Sequence, residues 1–152
     1  MTAIDLAALS GLDQLRAMLD GHVPGPAIAD TVGFGLSTLA HGRVVFEGTP
    51  TLAVYNPLGT VHGGWMATLL DSACGCAVHS VLEPGQTYTT LELKTVFHRA
   101  LKAGIPVRAE GRIVQAGRRA AFSEADLRGL DGTLYATATS TCLVMDRRPA
   151  QA

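Results

Sequence analysis

The sequence predicts an α+β fold: one long buried helix laid against one curved antiparallel sheet. Two observations carry that expectation. The first is a run that is apolar nearly all round, Trp65-Met66-Ala67-Thr68-Leu69-Leu70-Asp71-Ser72-Ala73-Cys74-Gly75-Cys76-Ala77-Val78. A helix of that kind is buried on most sides. The second is the order around it, with two extended segments before the run and four after it. The later four are separated by short turn sequences, which set consecutive strands antiparallel and adjacent. A helix on one face of such a sheet is the α+β layering. No repeat or linker interrupts the chain, so one domain covers residues 1–152. About 1–32 form a peripheral N-terminal helical segment and about 33–146 the core.

Each element has a local reason. Ser10 caps a short helix through Leu12, Leu15, Met18 and Leu19, and Gly21 stops it. Gly25-Pro26 begins a second irregular or helical turn. Phe34–Leu39 and Arg43–Gly48 read as strands joined by Ala40-His41-Gly42. Thr49–Asn56 continues extended, and Pro57 and Gly59 mark a loop. The long helix runs from about His62 to Ser80, and Glu83-Pro84-Gly85-Gln86 turns the chain. Thr87–Arg99 alternates, with Leu91, Leu93 and Phe97 on one face and Thr90, Glu92 and Lys94 on the other. Pro106–Gln115, Arg119–Arg128 and Thr133–Met145 follow as strands. The polar tail from Asp146 is expected to fray.

Composition narrows the class. Hydrophobic residues at 47% against 16% charged exclude a disordered chain. A net charge of -1 gives no overall pull toward nucleic acid or anionic membrane, so neither is an expected partner. Three cysteines make no disulfide framework and suit a reducing compartment. The start, Met1-Thr2-Ala3-Ile4-Asp5, shows no basic, apolar leader, and the 65–78 run is too short for a bilayer. The expected location is cytoplasmic.

Asp71 is the informative residue. It stands alone in the apolar run, where desolvation penalises a carboxylate unless it is paired or used. The helix begins at Gly63-Gly64, where free backbone N–H groups can stabilise developing negative charge. A carboxylate and an N–H cradle suffice to hydrolyse an activated acyl group. Gly63 and Asp71 are eight residues apart, roughly 12 Å along one helix. Attack needs both near one carbonyl carbon, within about 3–3.5 Å. Two antiparallel helices meet that condition, so the chemistry predicts a homodimer with shared sites. The neighbours of Asp71 at three and four residues, Ala67, Thr68, Cys74 and Gly75, are small and leave room beside it. Met66, Leu69 and Leu70 are left to fill the core.

These residues also carry a family resemblance. Asn56-x5-His62-Gly63-Gly64, with an acid nine positions after the histidine, resembles the hotdog-fold acyl-CoA thioesterases of the PaaI (phenylacetate pathway) type. The segment Thr89-Thr90-Leu91-Glu92-Leu93-Lys94 and the turn Gly117-Arg118-Arg119 are similar to that family as well, and the likeness spans about Gly35 to Met145. The resemblance implies a sheet wrapped round the helix, dimers joined edge to edge, dimers paired into homotetramers, and an active site at the subunit interface. By position it implies Asp71 as the catalytic acid, Gly63 as the oxyanion donor and Asn56 as an amide that positions thioester or water. Thr90, or its neighbour Thr89, would hold the water. Some relatives carry a hydroxyl one turn after the acid, where this chain has Gly75.

The expected function is therefore an acyl-CoA thioesterase for a small aromatic or medium-chain acyl group, with Asp71 as nucleophile or general base. His62 is placed either as a helix-start residue or in catalysis. Gly64 would admit the bulky thioester, and Arg118 and Arg119 would meet the phosphates of coenzyme A. Two other readings stand beside this one: a hotdog hydratase or dehydratase, and a non-catalytic acyl-CoA binder. No metal or redox cofactor is expected. Cys74 and Cys76 point about 200° apart on a helix, and His22, His41, His79 and His98 have no ligand at metal spacing.

Overall fold

The computed structural model describes residues 5–147. The expected tail beyond Arg147 lies outside the described residues. Six strands form one sheet: β1 (Phe34–Ala40), β2 (Arg43–Gly48), β3 (Gln86–Phe97), β4 (Val107–Ala116), β5 (Ala120–Gly129) and β6 (Leu134–Asp146). Their order across the sheet is β1-β2-β4-β5-β6-β3, with every neighbouring pair antiparallel. Two short helices, α1 (Gly11–Leu19) and α2 (Ala27–Val32), precede the sheet, and the long helix α3 (Gly63–His79) packs against β2 through β6. This is the layering that the apolar run and its flanking strands require.

The ends of α3 are fixed by side chains. His62 is the N-cap, and its Nδ1 accepts the Gly64 N–H at 2.8 Å. Ser80 closes the other end: its Oγ donates to the Ala77 carbonyl at 2.7 Å and accepts the Gly42 N–H at 2.8 Å. That second bond ties the helix to the β1–β2 hairpin. Between the caps, Met66, Leu69, Leu70, Ala73, Cys74, Ala77 and Val78 are buried, as their apolar character demands. Helix and sheet lie against each other at Gly111 of β4. A Cβ there would collide with the Ala73 carbonyl.

Three sequence expectations are corrected. First, β3 does not lie beside β4. It pairs with β6 and forms one edge of the sheet, while β1 forms the other. The connection 98–106 is no tight turn but a crossing, anchored by fully buried Leu101, by the Val61 N–H bonded to the Leu101 carbonyl at 2.9 Å, and by the Gly104 N–H bonded to the Pro50 carbonyl at 2.8 Å. Second, Thr49–Asn56 is not continuously extended. Leu52–Val54 is a 3-10 turn whose cap, Thr51, accepts the Ala53 N–H through its hydroxyl at 3.3 Å. Third, β3 does not alternate evenly. Its register to β6 shifts between Thr90 and Glu92, leaving Leu91 bulged and 63% exposed. The extra residue puts Thr90 and Leu93 on the same, helix-facing side.

The N-terminal segment lies outside the sheet but contributes to the core. Leu15 and Ala29 are buried in the main cluster. The Gly11 N–H donates to the Leu82 carbonyl at 2.9 Å, and Trp65 Nε1 donates to the Val32 carbonyl at 2.8 Å.

Because the Ala73 carbonyl occupies the space over Gly111, Gly111→Ala should lower the unfolding free energy by about 2 kcal/mol. Gly35→Ala is the control, since a Cβ at Gly35 meets nothing within 4 Å. Urea titration of both variants against the parent chain makes the comparison. Equal stabilities would show that the helix can shift away from β4 at little cost.

Candidate active site

Asp71 stands midway along α3 and is half-buried. Its Oδ1 accepts a hydrogen bond from Thr90 Oγ1 at 3.3 Å, long enough for the bond to be weak. The β3 bulge explains the partner, because it keeps Thr90 on the helix side, while adjacent Thr89 is exposed. Thr68, also near Asp71 in sequence, is engaged elsewhere, with its hydroxyl donating to the Gly64 carbonyl at 2.8 Å.

Asp71 and Thr90 open onto a cavity of about 610 Å³. This is the size range of small-ligand pockets. The helix and β3 supply Asp71, Ser72, Cys76, Tyr88 and Thr90 to its wall. The facing wall is apolar and comes from the N-terminal segment, chiefly Leu15, Met18, Val23, Pro26 and Ile28. Sequence reasoning treated that segment as peripheral and missed its part in the site. The available signal was the apolar surplus of Val23, Pro24, Pro26 and Ile28, more than a short surface helix needs. Tyr88 was missed as well.

The room expected beside Asp71 is partly taken. Cys74 is fully buried in the core. Over Gly75 sits the Tyr88 phenol, which a Cβ at that position would meet at 2.5 Å from Oη. Burial pushes both thiols, Cys74 and Cys76, up to about 12. Burial also raises the Tyr88 phenol, with Cys76, Cys142 and Asp71 adding to it. His79, at the far end of α3, is lowered by burial and then by the charge of Arg147. Among the described residues no group of three potential ligands could hold a metal ion, and no helix is long and apolar enough to cross a membrane.

The helix start forms a second locus. The Gly63 N–H has no hydrogen-bond partner among the described residues, and the Phe97 ring covers its Cα so closely that a Cβ would lie 2.9 Å from Cζ. The Gly64 N–H is already spent on His62 Nδ1. With Nδ1 accepting, the neutral His62 ring carries its proton on Nε2. Asn56 is likewise occupied. Its Oδ1 accepts the N–H groups of Leu58 at 2.9 Å and Thr60 at 3.3 Å, and its Nδ2 donates to Thr60 Oγ1 at 2.9 Å. Both side chains build the loop that presents Gly63. Within one chain that locus stays about 12 Å along the helix from Asp71. Arg118 and Arg119 are elsewhere again, on the β4–β5 turn, lining a separate cavity of about 540 Å³ with Gln86, Met145 and Asp146.

Residues 58–136, just over half the chain, match the family model described as the thioesterase superfamily. The chain belongs to the thioesterase superfamily. Among solved structures, a phenylacetic acid degradation-related protein of Ralstonia eutropha JMP134 is 35% identical, with a TM-score of 0.77 over 84% of this chain and 97% of that one. A mutant of the phenylacetic acid degradation protein PaaI from Thermus thermophilus is 27% identical, with a TM-score of 0.72 over 78% of this chain and 98% of that one. A Pseudomonas aeruginosa protein named as an esterase is 35% identical over 69 residues, 45% of this chain and 52% of that protein. The chain thus spans about half the length of that curated relative. The PaaI-type hotdog architecture expected from the sequence is the one observed.

The thiols offer a check on the packing of this superfamily member. Thiols pushed up to about 12 are almost wholly protonated, hence slow to react, near neutral pH. Alkylation of fully buried Cys74 at pH 8 should run at least roughly a hundredfold slower in the folded chain than in urea, where cysteine regains its ordinary acidity. Comparable rates would mean that α3 leaves the sheet readily.

Proposed function

We propose that this chain is an acyl-CoA thioesterase acting on a small aromatic or medium-chain acyl thioester. One observation carries the reading: a helix carboxylate, hydrogen-bonded to a strand hydroxyl, faces an apolar cavity of about 610 Å³. The acyl group lies in the cavity, against the N-terminal wall. The carbonyl sits at its mouth beside Asp71, and the oxygen takes the charge that develops on attack. Asp71 either attacks the carbonyl carbon, giving a mixed anhydride that water then cleaves, or takes a proton from the attacking water. Both routes expel the coenzyme thiolate and leave the free acid.

The oxyanion donor is the Gly63 N–H of a second subunit, since the same chain's Gly63 is too far along the helix. The subunits join through the β3 edge, where Leu91, Val96 and Phe97 are exposed, and the dimers pair again into tetramers. Arg118 and Arg119 meet the coenzyme's phosphates. Asn56 and His62 serve catalysis by holding the Gly63 loop.

Thiol release over a panel of acyl-CoAs is the direct test. The wild type should cleave aryl and medium-chain substrates, and Asp71→Asn should lose about 10²- to 10⁴-fold in kcat. A mutant with near wild-type turnover would remove Asp71 from the mechanism. A change in enoyl absorbance without thiol release would assign hydration instead. The apolar wall has its own expected outcome: Met18→Trp should cut kcat/KM for the longest accepted acyl chain and spare acetyl-CoA. Mixed dimers of Asp71→Asn chains with chains disabled in the 56–63 loop should regain part of the activity that neither parent shows.

A further inference from the structure

One turn beyond Asp71 the helix offers no side chain, and the space is filled from the sheet. A Cβ on Gly75 would lie 2.5 Å from Tyr88 Oη and 3.0 Å from Cε2, so only glycine admits the phenol there. Tyr88 and Thr90 are two positions apart on β3, both ahead of the bulge, and so share the face that meets α3. Thr90 reaches Asp71, and Tyr88 reaches the helix four residues further on. Both line the cavity. The phenol's hydrogen-bond partner in the chain is the Cys76 thiol, a weak one. The ring itself is held in place, tilted at 51° to His79 with centroids 5.7 Å apart. Burial keeps it protonated, so it is a donor throughout the working pH range.

Spacing suggests what the hydroxyl does. Helix positions four apart are about 5–6 Å from each other. Two hydrogen bonds of about 2.8 Å meeting at one water at a near-tetrahedral angle span about 4.5 Å, a gap that a carboxylate projecting from its own Cβ can leave to a group at the next turn. We propose that the Tyr88 hydroxyl is a positioning residue of the Asp71 site: with the carboxylate it holds the water that cleaves the acyl group, and Gly75 exists to let it in. The inference rests on the thioesterase reading, which makes water a reactant. It is indifferent to the two roles of Asp71, because water completes both routes.

The test begins with the wild type, since absence of any thiol release overturns the thioesterase reading itself. Given activity, Tyr88→Phe keeps the ring and its packing and removes only the hydroxyl. It should lower kcat roughly tenfold, the effect of one lost hydrogen bond to a reacting water, with KM within about twofold. An unchanged kcat, or a change confined to KM, overturns the proposal while the thioesterase reading stands. A rescue pair separates the hydroxyl from the packing. Tyr88→Leu should be slow, and adding Gly75→Ser should supply a hydroxyl to the same space from the helix side and recover at least about fivefold in kcat. Adding Gly75→Ala instead should recover none. Equal recovery by serine and alanine, or none by either in variants shown by circular dichroism to be folded, counts against the hydroxyl and sinks the idea.

Discussion

The structure depends on how closely α3 lies on the sheet. β4 has no side chain at Gly111, and the Ala73 carbonyl occupies that place. At such a distance every helix position on the sheet side must be matched by a strand residue of fitting size, and a polar helix residue must find a polar strand residue. Asp71 meets Thr90, and Gly75 meets Tyr88, by the same requirement. Interiors at crystalline packing density leave little tolerance for such pairs to drift. The site is therefore fixed by packing rather than by a charge network. The dense ion pairs of this protein, such as Arg112 with Glu110, Glu124 and Asp126, sit apart from it on β4 and β5.

The helix divides its labour along its length. Its first turn presents an N–H group, and the preceding loop spends the polar atoms of Asn56 and His62 on keeping that turn in shape. Its middle presents a carboxylate, and its end is pinned by Ser80 to the β1–β2 hairpin. Chemistry that needs the first turn and the middle together cannot be served by a single rigid rod. For the proposed thioesterase chemistry, the need for a second subunit follows from helix pitch before any interface is considered.

Much of this was legible in the sequence. The apolar run gave α3 to within a residue or two, because no other element buries on most sides. Asp71 stood out because burying a carboxylate costs free energy. The strand order was not legible. Residues 98–106 carry turn formers, and only the burial of Leu101 reveals a crossing instead of a hairpin. The cavity's apolar wall was hidden because α1 and α2 are too short to show which face they bury. The side of β3 that Thr90 occupies was hidden because alternation assumes an unbroken ladder. The small size of Gly75 is visible in the sequence, but the tyrosine that fills the space beside it comes from 13 positions further along the chain.

The bulge at Leu91 has a consequence beyond aiming one hydroxyl. Strand side chains follow a two-beat rhythm, and β3 carries two messages written on opposite beats: Tyr88 and Thr90 upstream, Leu93 and Phe97 downstream. One extra residue syncopates the strand, so both messages are read on one face. The same irregularity lies on an edge strand, where a straight, apolar ladder would invite any passing strand to add on. A broken rhythm works against such casual addition. In the dimer proposed above, a second copy of the chain would bring the same break to that edge by construction.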